Sequence, residues 1–181
     1  MELLKNCVGF KVMEYFLVHP SKEIYLRELS LDLKISTSSA KKYCDDLVME
    51  GVILERKKGN LRLFQLNRED FAVKETMKTY HLLLLKRLKI DTIVEGNASL
   101  AIYGSFAAGN LDERSDLDIL VIVGEETDVN KDFVLQLQED LGREIQLTVI
   151  SHLGWEKMKK RGEIFAESVL RKHVLVKGAE L

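Results

Sequence analysis

Apolar positions in the first third of the chain recur at helical spacing. Val8, Val12, Phe16 and Leu17 share one face, widened by Met13 and Tyr15, and Pro20 closes the run. Ile24 to Leu33 predicts a second short helix with Leu26, Leu29 and Leu33 on one side. Ser36 predicts the N-cap of a third, Thr37 to Glu50, with Ala40, Tyr43, Leu47 and Val48 facing inward and Gly51 stopping it. Val52-Ile53-Leu54 and Leu61 to Leu66 then read as strands, and the turn Lys58-Gly59-Asn60 makes them a hairpin.

Beyond the hairpin, Phe71, Val73, Met77, Tyr80, Leu84 and Leu88 share a face, so Glu69 to Lys89 predicts a connecting helix. Leu100 to Tyr103 and Leu117 to Val123 are continuous apolar runs of the kind that form buried strands. Asp132 to Leu141 predicts a helix, Ile145 to Ile150 a third strand, and Glu156 to Arg171 mostly helix. Strands alternating with helices imply a sheet covered on at least one face. The expected architecture is α+β in three parts: residues 1–68, a connecting helix over 69–92, and a sheet domain over 93–181.

Composition adds limits. Hydrophobic residues make up 46% and charged residues 31%, as in a folded chain. The formal net charge is -2, so any nucleic-acid-binding surface must be local. The longest apolar run by a helix, Leu82 to Leu85, is far below the ~20 residues that span a bilayer. No basic cluster followed by an apolar stretch opens the chain, so the expectation is a cytoplasmic protein with no membrane partner. Cys7 and Cys44 lie in apolar patterns and read as core thiols, and the four His and two Cys show no zinc-site spacing.

The stretch with candidate chemistry runs from Tyr103-Gly104-Ser105 to Asp116-Leu117-Asp118. A glycine at a strand end lets a phosphate approach the backbone, and a serine hydroxyl with free helix N–H groups can bind it. Asp116 and Asp118, two residues apart at the start of a strand, point to one side. Two carboxylates beside a phosphate cradle suit Mg²⁺, which favours one or two carboxylates plus phosphate oxygens and water. Read more plainly, Gly-Ser is a turn and the aspartates border a strand; the two halves together favour the site.

Two resemblances follow from these residues. Three helices and a hairpin over residues 1–68 resemble a winged helix-turn-helix domain. Tyr25-Leu26-Arg27-Glu28-Leu29, Ser36-Thr37-Ser38-Ser39-Ala40-Lys41-Lys42-Tyr43 and Leu47-Val48-Met49-Glu50-Gly51-Val52-Ile53 carry that likeness. It implies DNA as partner, met by Thr37, Ser38, Ser39, Lys41 and Lys42 of the third helix and by Arg56, Lys57, Lys58 and Arg62 of the wing. A homodimer on a two-fold site is the arrangement common to such regulators. Over residues 1–70, however, 12 basic residues meet 11 acidic ones. The hydroxyls also fit a purely capping role, and the domain a protein-contact role.

The second resemblance, over Ile93 to Lys177, is to the minimal nucleotidyltransferases of the DNA polymerase β superfamily: Gly-Ser, a variable helix, Asp-hydrophobic-Asp, then a third carboxylate on a later strand. It implies phosphate binding by Gly104 and Ser105. It implies catalysis and metal binding by Asp116 and Asp118, with two Mg²⁺ ions, and a nucleoside triphosphate as substrate or ligand. Members transfer a nucleoside monophosphate to a hydroxyl or other acceptor; some are antitoxins acting on a toxin partner. The pattern breaks twice. After Leu141-Gly142-Arg143, the third carboxylate position holds Gln146, with Glu144 one step earlier on that face, and Ala108 stands where relatives often carry arginine. An amide cannot serve as a base and is a weaker metal ligand. Arg114 and the run Lys157, Lys159, Lys160, Arg161 are further candidate contacts that fit solvated positions equally, and His81 and His152 are assigned no role. Three readings remain: a Mg²⁺-dependent transferase recruited by the winged helix, a DNA-binding regulator with a degenerate transferase domain, and a protein-interaction module.

Overall fold

The computed structural model describes residues 6–124 and 129–181. The chain divides into two compact units, Met1–Met77 and Lys78–Leu181.

The first unit holds α1 (Val8–Val18), β1 (Ile24–Tyr25), α2 (Leu26–Asp32), α3 (Thr37–Met49), β2 (Ile53–Lys58) and β3 (Leu61–Leu66). Ile24 and Tyr25, expected to open a helix, instead pair antiparallel with Phe64 and Leu63, giving a three-stranded sheet in the order β1-β3-β2. The reason is burial: Ile24 is wholly buried and sits opposite the equally buried Phe64. The helix starts two residues later than expected, at Leu26. Ser36 caps α3 as expected, its Oγ accepting from Ser39 N at 3.0 Å. Along α3 the buried residues are Ala40 and Cys44. Burial pushes the Cys44 thiol up to about 12, so it stays protonated in the core.

The helix α4 (Phe71–Arg87) crosses the boundary between the units. Phe71, expected inward, is 81% exposed, while Val73, Met77, Tyr80 and Leu85 are buried.

The second unit continues through a 3-10 turn (Ile90–Ile93) into β4 (Ala98–Ile102), α5 (Gly104–Ala108), β5 (Leu117–Val123), α6 (Lys131–Leu141), β6 (Ile145–Ser151), α7 (His152–Arg161), α8 (Ile164–Arg171) and β7 (Val174–Lys177). Its sheet has the order β6-β5-β4-β7. β4 is antiparallel to β5 and β7, and β5 is parallel to β6. The long late helix is divided: Gly162, in the left-handed region at φ 63°, caps α7, and Glu163 begins α8. β7 has no counterpart among the expected strands. Its four residues follow His173 directly and are all half-buried, so no alternation marks them.

β5 is the spine of this sheet. Leu117, Ile119 and Val121 face one side, and Leu120 and Ile122 the other. The second side carries a cluster of Leu120, Ile122, Trp155, Ala166 and Val169, so α7 and α8 cover it. By strand parity Asp118 lies on that same side, beyond the covered stretch. Among the described residues, no helix is long and apolar enough to cross a membrane.

Candidate functional site

The loop from β4 to α5 is built around Gly104, whose φ of 67° lies in the left-handed region. Tyr103 is extended and serves as N-cap, so the chain turns sharply from strand to helix. A Cβ at Gly104 would lie 2.0 Å from Asp118 Oδ2 and 2.9 Å from its Cγ. The glycine is therefore required twice, by its backbone angle and by the carboxylate lying against it. Ser105 is the second residue of α5, half-buried, and its carbonyl accepts from Asn110 N at 3.0 Å.

Asp116 and Asp118 flank the buried Leu117 at the start of β5. Burial, then the charge of Asp116, raises the pKa of Asp118 above the usual aspartate value. β6 delivers the third position. In the parallel pairing Asp118 lies opposite Gln146, and Leu117 opposite Ile145. Gln146 Nε2 donates to Asp116 Oδ2 at 2.7 Å. An ionised carboxylate only accepts, so the NH₂ end of the amide is the end that faces it. Glu144 is exposed, and its backbone carbonyl accepts from Leu117 N at 2.9 Å. Among the described residues, no three His, Cys, Asp or Glu side chains converge in a metal-holding group. The donor set that the fold assembles is two carboxylates and one amide beside an open glycine backbone.

Arg143 is not among the site residues that the sequence pattern marks. Its Nη1 donates to the carbonyls of Asp112 and Ser115, the latter at 3.0 Å, and its guanidinium lies 5.6 Å from the ring centroid of Phe106 in α5. It thus ties the loop that delivers Asp116 to the helix that begins at Gly104. Burial lowers its pKa, but arginine remains charged at neutral pH. The loop also braces itself: Asp112 Oδ1 accepts from Arg114 N at 2.9 Å and from Ser115 Oγ at 3.0 Å. In the sequence it is marked by Leu141-Gly142-Arg143, the run that leads into β6. His81 is buried and meets the Phe106 ring edge-on, 5.7 Å between centroids. At Ala108 the carbonyl accepts from Lys172 Nζ at 3.2 Å, a cation suited to the C-terminal end of α5. Arg114 is exposed.

Residues 84–172 match the family model described as a nucleotidyltransferase domain. The second unit has the fold of a nucleotidyltransferase domain. The match begins within α4 and ends at Lys172, so it includes Gly104, Ser105, Asp116, Asp118 and Gln146. No curated protein matches the chain. Among solved structures, a possible transcriptional regulator from Methanosarcina mazei Go1 is similar at 16% identity and TM-score 0.36, over 50% of this chain and 78% of that one. A toxin-antitoxin structure with AMP-PNP is similar at 14% identity and TM-score 0.34, over 57% and 74%. HmgR of Pseudomonas aeruginosa is similar at 15% identity and TM-score 0.35, over 90% and 71%. Likenesses this loose carry no argument about activity.

In the first unit the hydroxyls of α3 largely satisfy one another. Ser36 Oγ meets Ser38 Oγ at 2.9 Å and donates to Ser39 Oγ at 2.8 Å, and Thr37 Oγ1 lies 3.4 Å from Ser30 Oγ. Arg62 bridges Asp45 at 2.6 Å and Glu55 at 2.7 Å, and Arg56 pairs with Glu23 at 2.6 Å. Lys41, Lys57 and Lys58 are exposed, and exposed Lys42 places its Nζ 5.5 Å from the Tyr43 ring centroid. Two of the basic groups on the hairpin are thus engaged with carboxylates, and the lysines carry the outward positive charge.

Proposed function

We propose that the nucleotidyltransferase domain binds a nucleoside triphosphate with Mg²⁺ and that the first unit is a winged helix that binds DNA, making the chain a nucleotide-binding regulator. The observation that carries the nucleotide half is the Asp118 carboxylate lying against the bare backbone of Gly104, with Asp116 on the same side of β5. That contact brings the two halves of the motif together. Gly104 and Ser105 receive phosphate oxygens through backbone N–H and hydroxyl groups. Asp116 and Asp118 hold the ion, which neutralises phosphate charge when bound; the two carboxylates with phosphate and water suit magnesium. Arg143 keeps the loop and α5 in register. Gln146 orients Asp116 by its hydrogen bond and cannot take a proton. Binding is therefore favoured over turnover.

Nucleotide binding is tested by calorimetric titration of the full chain with a nucleoside triphosphate and Mg²⁺. Micromolar binding that is lost in Asp116→Ala and Asp118→Ala is expected; equal binding by those variants and the wild type would refute it. DNA binding rests on the order of helices and hairpin and on exposed Lys41, Lys42, Lys57 and Lys58, with Thr37, Ser38 and Ser39 at the start of α3 and Arg56 of the hairpin as further contacts. Selection from random duplexes should enrich a site, with affinity falling as salt rises. An affinity indifferent to Lys41→Ala with Lys42→Ala would overturn that half.

A second reading, transfer of a nucleoside monophosphate to an acceptor that includes a toxin-like protein partner, is favoured by one observation. Asp118 lies against Gly104 with Asp116 two residues before it, the paired-carboxylate arrangement that a transfer centre uses, and the acceptor's hydroxyl proton leaves to solvent. In that step the acceptor oxygen bonds to the α-phosphorus, the bond to the β-phosphate breaks, and pyrophosphate leaves. Label from an α-labelled triphosphate appearing on a protein or RNA in extract, and absent with Asp118→Asn, would establish it.

A further inference from the structure

Gln146 occupies the place where a third acidic ligand would stand. It is held there by the parallel register that sets it opposite Asp118 and by its 2.7 Å hydrogen bond to Asp116 Oδ2. We propose that Gln146 limits this site to a single divalent ion with its nucleotide. The assignment rests on the nucleotide-binding reading above and concerns its stoichiometry.

Three observations carry it. First, the amide N–H group points at Asp116 Oδ2, so that oxygen faces a positive partial charge rather than an open lone pair for a metal. A bridging ion there would have to displace the amide and meet its N–H dipole. Second, among the described residues no other carboxylate replaces it. Glu144 is two residues earlier, a rise of about 6–7 Å along the strand, and its side chain is exposed. Third, two divalent ions bring four positive charges. Two aspartates supply half of that from the protein, whereas a carboxylate at position 146 would add another negative charge between the ions. One ion needs only one or two carboxylates plus phosphate oxygens and water, which is what Asp116, Asp118 and a triphosphate offer.

The test counts ions without relying on activity. The full chain is equilibrated with Mn²⁺ and an ATP analogue carrying a methylene bridge between the α- and β-phosphates. Protein-bound manganese and nucleotide are then measured by dialysis and electron paramagnetic resonance. One Mn²⁺ per bound nucleotide is expected for the wild type and for Gln146→Ala, which removes the hydrogen bond without adding a charge. Gln146→Asp should bind two, with the spin-coupled signal of ions about 3.5–4 Å apart. Gln146→Glu serves the same purpose should the shorter side chain fall short, and circular dichroism checks the fold of each. A spin-coupled pair in the wild type overturns the assignment while leaving nucleotide binding intact. So does one ion in both acidic variants at wild-type nucleotide affinity. Failure of every form to bind the analogue removes the nucleotide reading and this assignment together.

Discussion

Gly104→Ala adds one methyl group at the point where two halves of the site meet. It has two separable costs. The first is the backbone: φ is 67°, and an L side chain in that region costs roughly 1–2 kcal/mol. The second is the carboxylate. The new Cβ would lie 2.0 Å from Asp118 Oδ2, while ordinary contact begins at 3.4 Å, so the carboxyl group must withdraw by about 1.4 Å. Its far end can swing, so this second cost falls mainly on the ligand. A misplacement near 1 Å is worth on the order of 100-fold in a positioned site. Gly142→Ala is the matched control, because Gly142 has φ 61° with nothing within 4 Å of its added Cβ. Calorimetric scanning should show both variants melting the second unit roughly 5–10 °C lower, as about 1–2 kcal/mol predicts for a unit near 100 residues. Titration with Mg²⁺ and triphosphate should show Gly104→Ala about 100-fold weaker and Gly142→Ala unchanged. Equal affinity in the two variants would refute the claim that Asp118 and Gly104 form one binding element.

Three more outcomes follow from the same geometry. Arg143→Ala removes the guanidinium hydrogen bonds to the Asp112 and Ser115 carbonyls, a loss of roughly 1–3 kcal/mol; amide exchange over residues 112–118 should quicken, Arg143→Lys should recover part of the protection, and unchanged exchange would sink the tethering role. Glu55, whose pKa is lowered chiefly by its hydrogen bond to Arg62, adds stability that is present above the ordinary glutamate pKa and lost as pH falls through the lowered one. Denaturant midpoints of the wild type should therefore drop below about pH 4.3 more steeply than those of Glu55→Gln, and parallel curves would contradict this. Asp118 has the opposite sign: its raised pKa makes the folded state favour the protonated form, so stability is present at acid pH and lost as pH rises through that value. Asp118→Asn should then be more stable than the wild type at pH 7, show no such gain at acid pH, and fail to bind the Mg²⁺-nucleotide; a neutral-pH loss of stability would count against it.

Much of the fold was legible because period and punctuation agreed. The α3 cap at Ser36 and the aliphatic run of β5 are local signals, and the folded chain keeps both. The failures were where tertiary burial decided. Ile24-Tyr25 reads as the start of a helix until β3 offers it a partner, and β7 has no alternation because it lies half-covered beside β4. The motif residues were visible as types at a spacing. Their coupling was not: nothing in a one-dimensional pattern shows that Gly104 lacks a Cβ because Asp118 lies there, or that Arg143 grips the loop before Asp116. Such contacts cross from one element to another, and only the sheet order brings them into reach.

The parallel pairing of β5 with β6 has a consequence for time as well as space. Bringing Glu144 beside Asp118 in place of Gln146 requires a two-residue slip of β6. That slip breaks the whole ladder from Leu117↔Ile145 to Val123↔Ser151. Such a ladder, anchored on the buried β5, opens only in large-scale unfolding, not in the fast local excursions of loops and termini. The acidity of the third position is therefore settled when the chain is synthesised, and no breathing motion of the folded domain can switch it.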